Sequence, residues 1–132
     1  MRNGLSIAIL TLGILCSGCT SPLARRSSES TALAHNVYFA LNDNSPAAKA
    51  ELVAACYKYL RDQPGVVYFA AGQIVAEHAR DVNVCDWDVG LHIVFANKAD
   101  HDLYQKADAH LQFIEENKAK WRTVRVFDTY IE

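Results

Sequence analysis

The chain has 132 residues and a formal net charge of −2, with 13 basic and 15 acidic residues. Acidic and basic side chains are interspersed, so the sequence lacks the basic face that a nucleic-acid partner requires. Composition therefore excludes a nucleic-acid-binding protein and favours one small domain with a single core.

The N-terminal residues have the pattern of a secretory signal. Arg2 precedes an apolar run that ends at Leu15, which is too short to cross a bilayer and matches a signal-peptide core. The next residues, "LCSGC", resemble a bacterial lipobox in which Cys19 receives the lipid. We therefore expect a signal peptide at 1–18 and a lipidated N-terminus with a flexible, Ser/Thr-rich linker at 19–34.

This reading predicts a protein that is exported across the inner membrane and anchored by lipid at a bacterial membrane, facing the periplasm or the exterior. The alternatives are ordinary signal cleavage nearby and an anchor that is not cleaved.

The domain at 35–132 begins with "HNVYFAL", whose alternation of apolar and polar residues is typical of a strand. Ser45 and Pro46 then have the types preferred at an N-cap and at the first helical position. Apolar residues follow at helical spacing up to Leu60, and Pro64 with Gly65 ends the helix.

Two further strands are predicted in "VVYFAAGQIVA", where Gly72 suggests a bulge, and in "WDVGLHIVFA". The polar segment "EHARDVNVCD" between them is predicted to be a loop. Asn97 is a candidate cap of a short helix that carries Leu103 and Tyr104 inward. A second helix begins near Asp108, and "RTVRVFDTYIE" is the fourth strand.

The order of elements is strand, helix, strand, strand, helix pair, strand. It predicts an α+β, ferredoxin-like split βαβ fold, with a four-stranded antiparallel sheet and helices on one face. The other face also carries apolar residues, and one layer of helices leaves it bare. We therefore expect a homodimer that packs sheet against sheet.

Three segments carry a resemblance to a known family: the opening "HNVYFAL", the central "DVGLHIVFANKADHDLYQKADAHLQFIEE" and the closing "RVFDTYI". Across 35–132 the chain resembles the stress-responsive dimeric α+β barrel (Dabb) family. The resemblance implies a dimeric α+β barrel with a cavity in each subunit between the sheet and the helices.

The resemblance also implies a site. Tyr104 and His110 fall at the positions of the catalytic pair in a plant polyketide cyclase of this family, and His35 and His92 fall at two strand histidines near its pocket. The segment "ADAH" at 107–110 departs from the "HPAH" that is frequent in the family. In such a site His110 would act as base, Tyr104 would donate to the enolate oxygen of a small hydrophobic carbonyl ligand, and His35 would fix the tautomer of His110.

Packing is the alternative interpretation, because a buried Tyr or His often joins helices to a strand through hydrogen bonds. Two hypotheses thus stay open: a stress-associated ligand-binding module without turnover, and a cofactor-free cyclase-like or monooxygenase-like enzyme. His35, His92 and His110 are the candidate set of converging histidines, but the sequence has no metal-ligand motif, so neither metal nor cofactor is predicted.

The remaining histidines and cysteines receive no functional role from the sequence. His78 and His101 are predicted to lie on the surface. Cys56 and Cys85 are expected to be thiols, with a disulfide as the alternative.

Overall fold

The computed structural model describes residues 31–78 and 80–132. The predicted signal peptide, Cys19 and most of the predicted linker lie outside these residues. The elements follow one another in the order β1 (Leu33–Leu41), α1 (Pro46–Tyr59), β2 (Val66–Gln73), β3 (Val89–Phe95), α2 (Lys98–Tyr104), α3 (Asp108–Asn117), a 3₁₀ turn (Lys118–Lys120) and β4 (Trp121–Tyr130).

The four strands form one antiparallel sheet in the order β2-β3-β1-β4, in which β1 and β3 are central. This is the ferredoxin-like arrangement that the order of elements predicted. The predicted bulge at Gly72 was wrong: Gly72 pairs regularly with Gly90, and the register shifts between Val66 and Tyr68.

The helix starts follow from their caps, as the sequence predicted. The Ser45 hydroxyl accepts a hydrogen bond from the Ala48 amide at 3.2 Å, and the Asn97 side chain accepts one from the Asp100 amide at 2.9 Å. Gly65 has φ of +81°, and a Cβ there would lie 2.3 Å from Cβ of Asp100. Only glycine therefore suits the turn that leads into β2.

The alternation along each central strand separates the two faces of the sheet. The core lies under the helices, where each of its central-strand side chains is at most 5 % exposed. These side chains are Leu33, Val37, Phe39, Leu41, Val89, Leu91, Ile93 and Phe95. Helix α1 adds Leu52 and Cys56 to the same core.

The opposite face, which we call the open face, carries no helix of the described residues. Tyr68 and Phe127 on it are 56 % and 53 % exposed. The loop from 74 to 88 reaches its rim, where the Trp87 ring contacts Tyr38 with 4.9 Å between ring centroids. Within the described part of the chain, no helix is long and apolar enough to cross a membrane.

Cys56 and Cys85 are both free thiols, the first buried and the second exposed. The alternative of a disulfide between them is therefore wrong for this structure. Burial raises the pKa of the Cys56 thiol to about 12, so it is a packing residue rather than a nucleophile.

Candidate functional site

A cavity of about 430 Å³ lies between the helices and the strands β1 and β4. Its walls are mostly apolar. One of them is β4, the edge strand of the sheet, which the helices cover only in part. The apolar wall includes Val37, Phe39, Leu91, Phe113, Trp121 and Val126. The polar residues that line the cavity are His35, His101, Tyr104, Gln105, His110 and Asp128.

The pairing register of β1 and β4 brings together the first polar pair of the cavity, His35 and Asp128. His35 on β1 and Asp128 on β4 are direct cross-strand partners, and Nδ1 of His35 lies 2.7 Å from Oδ1 of Asp128. Since an ionised carboxylate only accepts hydrogen bonds, Nδ1 carries the proton and donates it. In the neutral ring the second nitrogen, Nε2, is then a lone-pair acceptor.

The turn between α2 and α3 places the second pair. Tyr104 is the last residue of α2 and His110 lies in the first turn of α3. The chain reverses between them, so their rings lie 4.5 Å apart between centroids at 40°. Nδ1 of His110 is 3.2 Å from the Gln105 carbonyl oxygen and donates a hydrogen bond to it, so Nε2 of the neutral ring is unprotonated.

Burial sets the protonation states of these groups. Desolvation lowers the pKa of His35, opposed by its hydrogen bond to Asp128, and it also lowers the pKa of His110. Desolvation raises the pKa of the Tyr104 hydroxyl far above its usual value. At neutral pH the site therefore combines neutral imidazoles with a protonated phenol.

The Tyr104 hydroxyl bears on the packing interpretation. The Tyr104 side chain is only 2 % exposed, and its hydroxyl makes no hydrogen bond with any residue that the structure describes. The hydroxyl faces the cavity and is not one of the buried polar atoms that lack a partner among the described residues. It is therefore a donor available to water or to a ligand in the cavity.

The structure brings Tyr104, His110 and His35 to one cavity and does not bring His92 there. His92 points to the open face, where its Nδ1 lies 2.8 Å from Oδ1 of Asn36. Its own burial lowers the pKa of its ring. His35, His92 and His110 therefore do not converge on one metal site, because His92 lies on the other face of the sheet.

His101 was missed by the sequence analysis, which predicted a surface residue. Its side chain is 12 % exposed, and its ring lies 5.1 Å from that of His35 between centroids. His101 precedes Tyr104 by one helical turn, so the two residues share a face of α2. This three-residue spacing was the feature of the sequence that could have placed His101 beside Tyr104 in the cavity.

The open face holds a second cavity, of about 480 Å³, lined by Asn36, Tyr38, Val84, Trp87, Arg125 and Phe127. It lies at the rim where the guanidinium of Arg125 pairs with Asp86. Because the open face is bare in the single chain, this cavity is bounded on one side only.

The family model described as "Stress responsive A/B Barrel Domain" matches residues 33–131. The chain belongs to this family. The match begins at the first residue of β1 and includes all seven regular elements. A comparison with curated proteins found no match.

Solved structures share the fold at low sequence identity. A dabb family protein from Mesorhizobium loti is 18 % identical with a TM-score of 0.65, over 77 % of this chain and 98 % of that one. A dimeric ferredoxin-like protein of unknown function from Thermobifida fusca is 13 % identical with a TM-score of 0.65, over 78 % and 93 %. The hydroxynitrile lyase of Passiflora edulis is 14 % identical with a TM-score of 0.66, over 78 % and 95 %.

Proposed function

We propose that this stress-responsive barrel protein binds a small, mostly apolar carbonyl compound in the cavity beside Tyr104. The observation that carries the proposal is the Tyr104 hydroxyl, which lines the cavity without a hydrogen-bond partner among the described residues. The volume of about 430 Å³ falls in the range of small-molecule sites. A carbonyl oxygen would accept from the phenol while the apolar wall covers the rest.

Binding is tested by titrating a panel of small aldehydes and ketones into the full chain, followed by calorimetry. Tyr104→Phe removes one oxygen and should weaken binding about 3- to 10-fold, the usual worth of one hydrogen bond. Tyr57→Phe is the matched control, because Tyr57 is exposed and does not line the cavity. Equal affinity of wild type and Tyr104→Phe would contradict the proposal.

A second variant fills the cavity with a larger side chain. Val126 lines it and is 50 % exposed, so Val126→Trp adds a ring without disturbing the buried core. Binding should be lost while the circular dichroism spectrum is kept. Retained binding in this variant would locate the ligand elsewhere.

Acid–base catalysis on the bound carbonyl compound is the second candidate function. It is favoured by His110, whose Nε2 is unprotonated and whose ring contacts Tyr104. His110 would take a proton next to the carbonyl while Tyr104 donates to the enolate oxygen. One protein of the same fold is named a hydroxynitrile lyase, so lyase chemistry is compatible with this fold.

Catalysis is tested by deuterium incorporation next to the carbonyl of a bound ketone in heavy water. Wild type should accelerate exchange, and His110→Gln should lose about 10²- to 10⁴-fold of that acceleration. His78→Gln, on the exposed loop, is the control. If wild type binds the ketone saturably but does not accelerate exchange, the protein is a ligand-binding module without turnover.

We also propose that two chains associate through the open face. Phe127 and Tyr68 are more than half exposed there, and similar structures are described as dimeric. Phe127→Asp should convert a dimer to a monomer in sedimentation equilibrium. Leu111→Asp is the control, because Leu111 is 50 % exposed but lies on α3. A monomeric wild type at micromolar concentration would contradict the proposal.

Membrane attachment through Cys19 remains a separate proposal from the sequence. Its support is the apolar run followed by the lipobox-like "LCSGC". Mass spectrometry of protein from a bacterial host should find acyl chains on Cys19, and Cys19→Ala should move the protein from the membrane fraction to the soluble one. Unmodified Cys19 in membrane-bound protein would contradict it.

A further inference from the structure

Three side chains that line the cavity form a cluster with the composition of a metal site. His35, His101 and Asp128 each bring one donor atom to within 4.8 Å of the other two. Two come from adjacent strands, because His35 and Asp128 are cross-strand partners. The third comes from α2, which places His101 over the strand pair.

The donor set selects a class of ion. Two imidazoles with one carboxylate suit divalent transition metals, whereas calcium and magnesium prefer oxygen ligands throughout. Zinc sites of this composition bind at about 2.0–2.2 Å and keep a fourth position open. An ion bound by both His35 and Asp128 would replace the proton that now joins them at 2.7 Å and would release it to solvent. Asp128, with its side chain 44 % exposed, has room to turn for this.

One ligand has an unsatisfied atom. Nδ1 of His101 is buried and has no hydrogen-bond partner within the described residues. The nearest carboxylate oxygen, Oδ1 of Asp102, lies 3.5 Å from it, which is long for a hydrogen bond. The other ring nitrogen, Nε2, lies 3.0 Å from Nε2 of Gln105, whose amide donates to it. An ion on Nδ1 therefore requires the ring proton to move to Nε2 and the Gln105 amide to turn its oxygen towards that proton.

The cluster also has an access route and favourable charge. His101 and Asp128 also line a further, smaller cavity of about 280 Å³, together with Lys98 and Asp102. Lys98 is already paired with Asp102 at 2.5 Å, which leaves the charge of Asp128 to attract a cation. An ion can therefore reach the cluster without passing the apolar wall of the main cavity.

We propose that His35, His101 and Asp128 bind one divalent transition-metal ion of the zinc class. The ion would sit at the polar end of the cavity, with its open coordination position available to solvent or to a ligand. Tyr104 and His110 are not ligands of this site. The inference therefore goes beyond the binding of a carbonyl compound and does not depend on it.

The test is a titration of the chelator-treated full chain with Co²⁺ alone, in the absence of any organic compound. Calorimetry should give one ion per chain, and visible absorption should show the bands of low-coordinate Co²⁺. His101→Ala and Asp128→Asn should each weaken binding at least tenfold, since even changes behind the direct ligands cost about 10- to 100-fold. Asp128→Asn keeps size and exposure, so it tests the site even if changes at buried His35 unfold the chain.

The matched controls are His78→Ala and Cys85→Ser, which remove the exposed imidazole and thiol of the 74–88 loop and should leave the titration unchanged. If they abolish binding, the ion belongs to the loop and the proposal is wrong. No saturable uptake by wild type, or unchanged uptake by both His101→Ala and Asp128→Asn, would overturn it as well. Carbonyl binding measured with chelator present separates this outcome from failure of the proposed function.

Discussion

The two faces of the sheet hold similar residues in different surroundings. Each carries a histidine that is hydrogen-bonded across strands through Nδ1: His35 to the carboxylate of Asp128 on the cavity side, and His92 to the amide of Asn36 on the open face. Under the helices the pair borders a cavity next to Tyr104, whereas His92 lies beside the ring of Tyr38, 5.8 Å away between centroids.

Alternation along a strand therefore decides which surroundings a polar residue meets and what it can do there. Successive side chains of β1 point to opposite faces, so His35 and Asn36 are neighbours in sequence but belong to different environments. A carboxylate partner and a partly covered cavity suit binding and chemistry. An amide partner among exposed aromatic rings suits association with another sheet.

The largest effect is expected when sequence neighbours on opposite faces of the sheet are truncated. Ile93 is fully buried under the helices, so Ile93→Ala should cost about 2–5 kcal/mol of unfolding free energy at any protein concentration. Val94→Ala on the open face should cost less, and its cost should grow with protein concentration if this face is a dimer interface. Urea unfolding at two concentrations measures both.

Equal, concentration-independent losses in Ile93→Ala and Val94→Ala would contradict the distinction between the faces. They would mean that the open face is buried within a single chain. Thr123→Ala, at an exposed position of β4, is the control for loss of a side chain without burial.

Much of the fold follows from local sequence rules. Alternation located the strands, and Ser45 and Asn97 located two helix starts, because a cap depends on a few adjacent residues. The strand ends were less well predicted: β1 begins at Leu33 rather than His35, and β4 begins at Trp121, one residue before the predicted "RTVRVFDTYIE". Where a strand begins or ends depends on its pairing with a strand that is distant in sequence.

The candidate site was only partly predictable for the same reason. The sequence expected Leu103 and Tyr104 to point inward, whereas Leu103 is 68 % exposed and His101 lies inside with Tyr104. The i, i+3 spacing of His101 and Tyr104 indicated a shared face, but the seven residues of α2 are too few for periodicity to decide which face points inward. What decides it is tertiary packing, in which the His101 ring lies 5.4 Å from that of Phe95.

A smaller effect is expected at alkaline pH, and it reports on the cavity side alone. Burial raises the pKa of Cys56 from 9.0 to about 12 and raises the pKa of Tyr104 well above its usual 10.0. Above pH 9 for Cys56, and above pH 10 for Tyr104, the unfolded chain loses a proton that the folded chain keeps. Unfolding free energy should therefore fall by about 1.4 kcal/mol per pH unit for each group.

The Cys56→Ala substitution removes one of these two ionisable groups and so separates its contribution from that of Tyr104. Its absolute stability drops because a buried sulfur is removed, so the quantity to compare is the slope of unfolding free energy between about pH 9 and 11. The slope should be shallower by about one proton than in wild type. The exposed Cys85→Ser should keep the wild-type slope, and an unchanged slope in Cys56→Ala would show that Cys56 ionises as easily in the folded chain as in the unfolded one.

The smallest expected effect is on the acid side, where both faces contribute. Burial lowers the pKa of His110 and of His92 below 6.5, so at mildly acidic pH the unfolded chain binds protons that the folded chain does not. Stability from these groups is thus present above pH 6.5 and falls as pH drops towards their folded values. His110→Gln and His92→Gln should each flatten the fall in urea midpoint from neutral to mildly acidic pH. If the open face is covered by a second chain, burial of His92 deepens, and the flattening in His92→Gln should increase with protein concentration while that in His110→Gln does not.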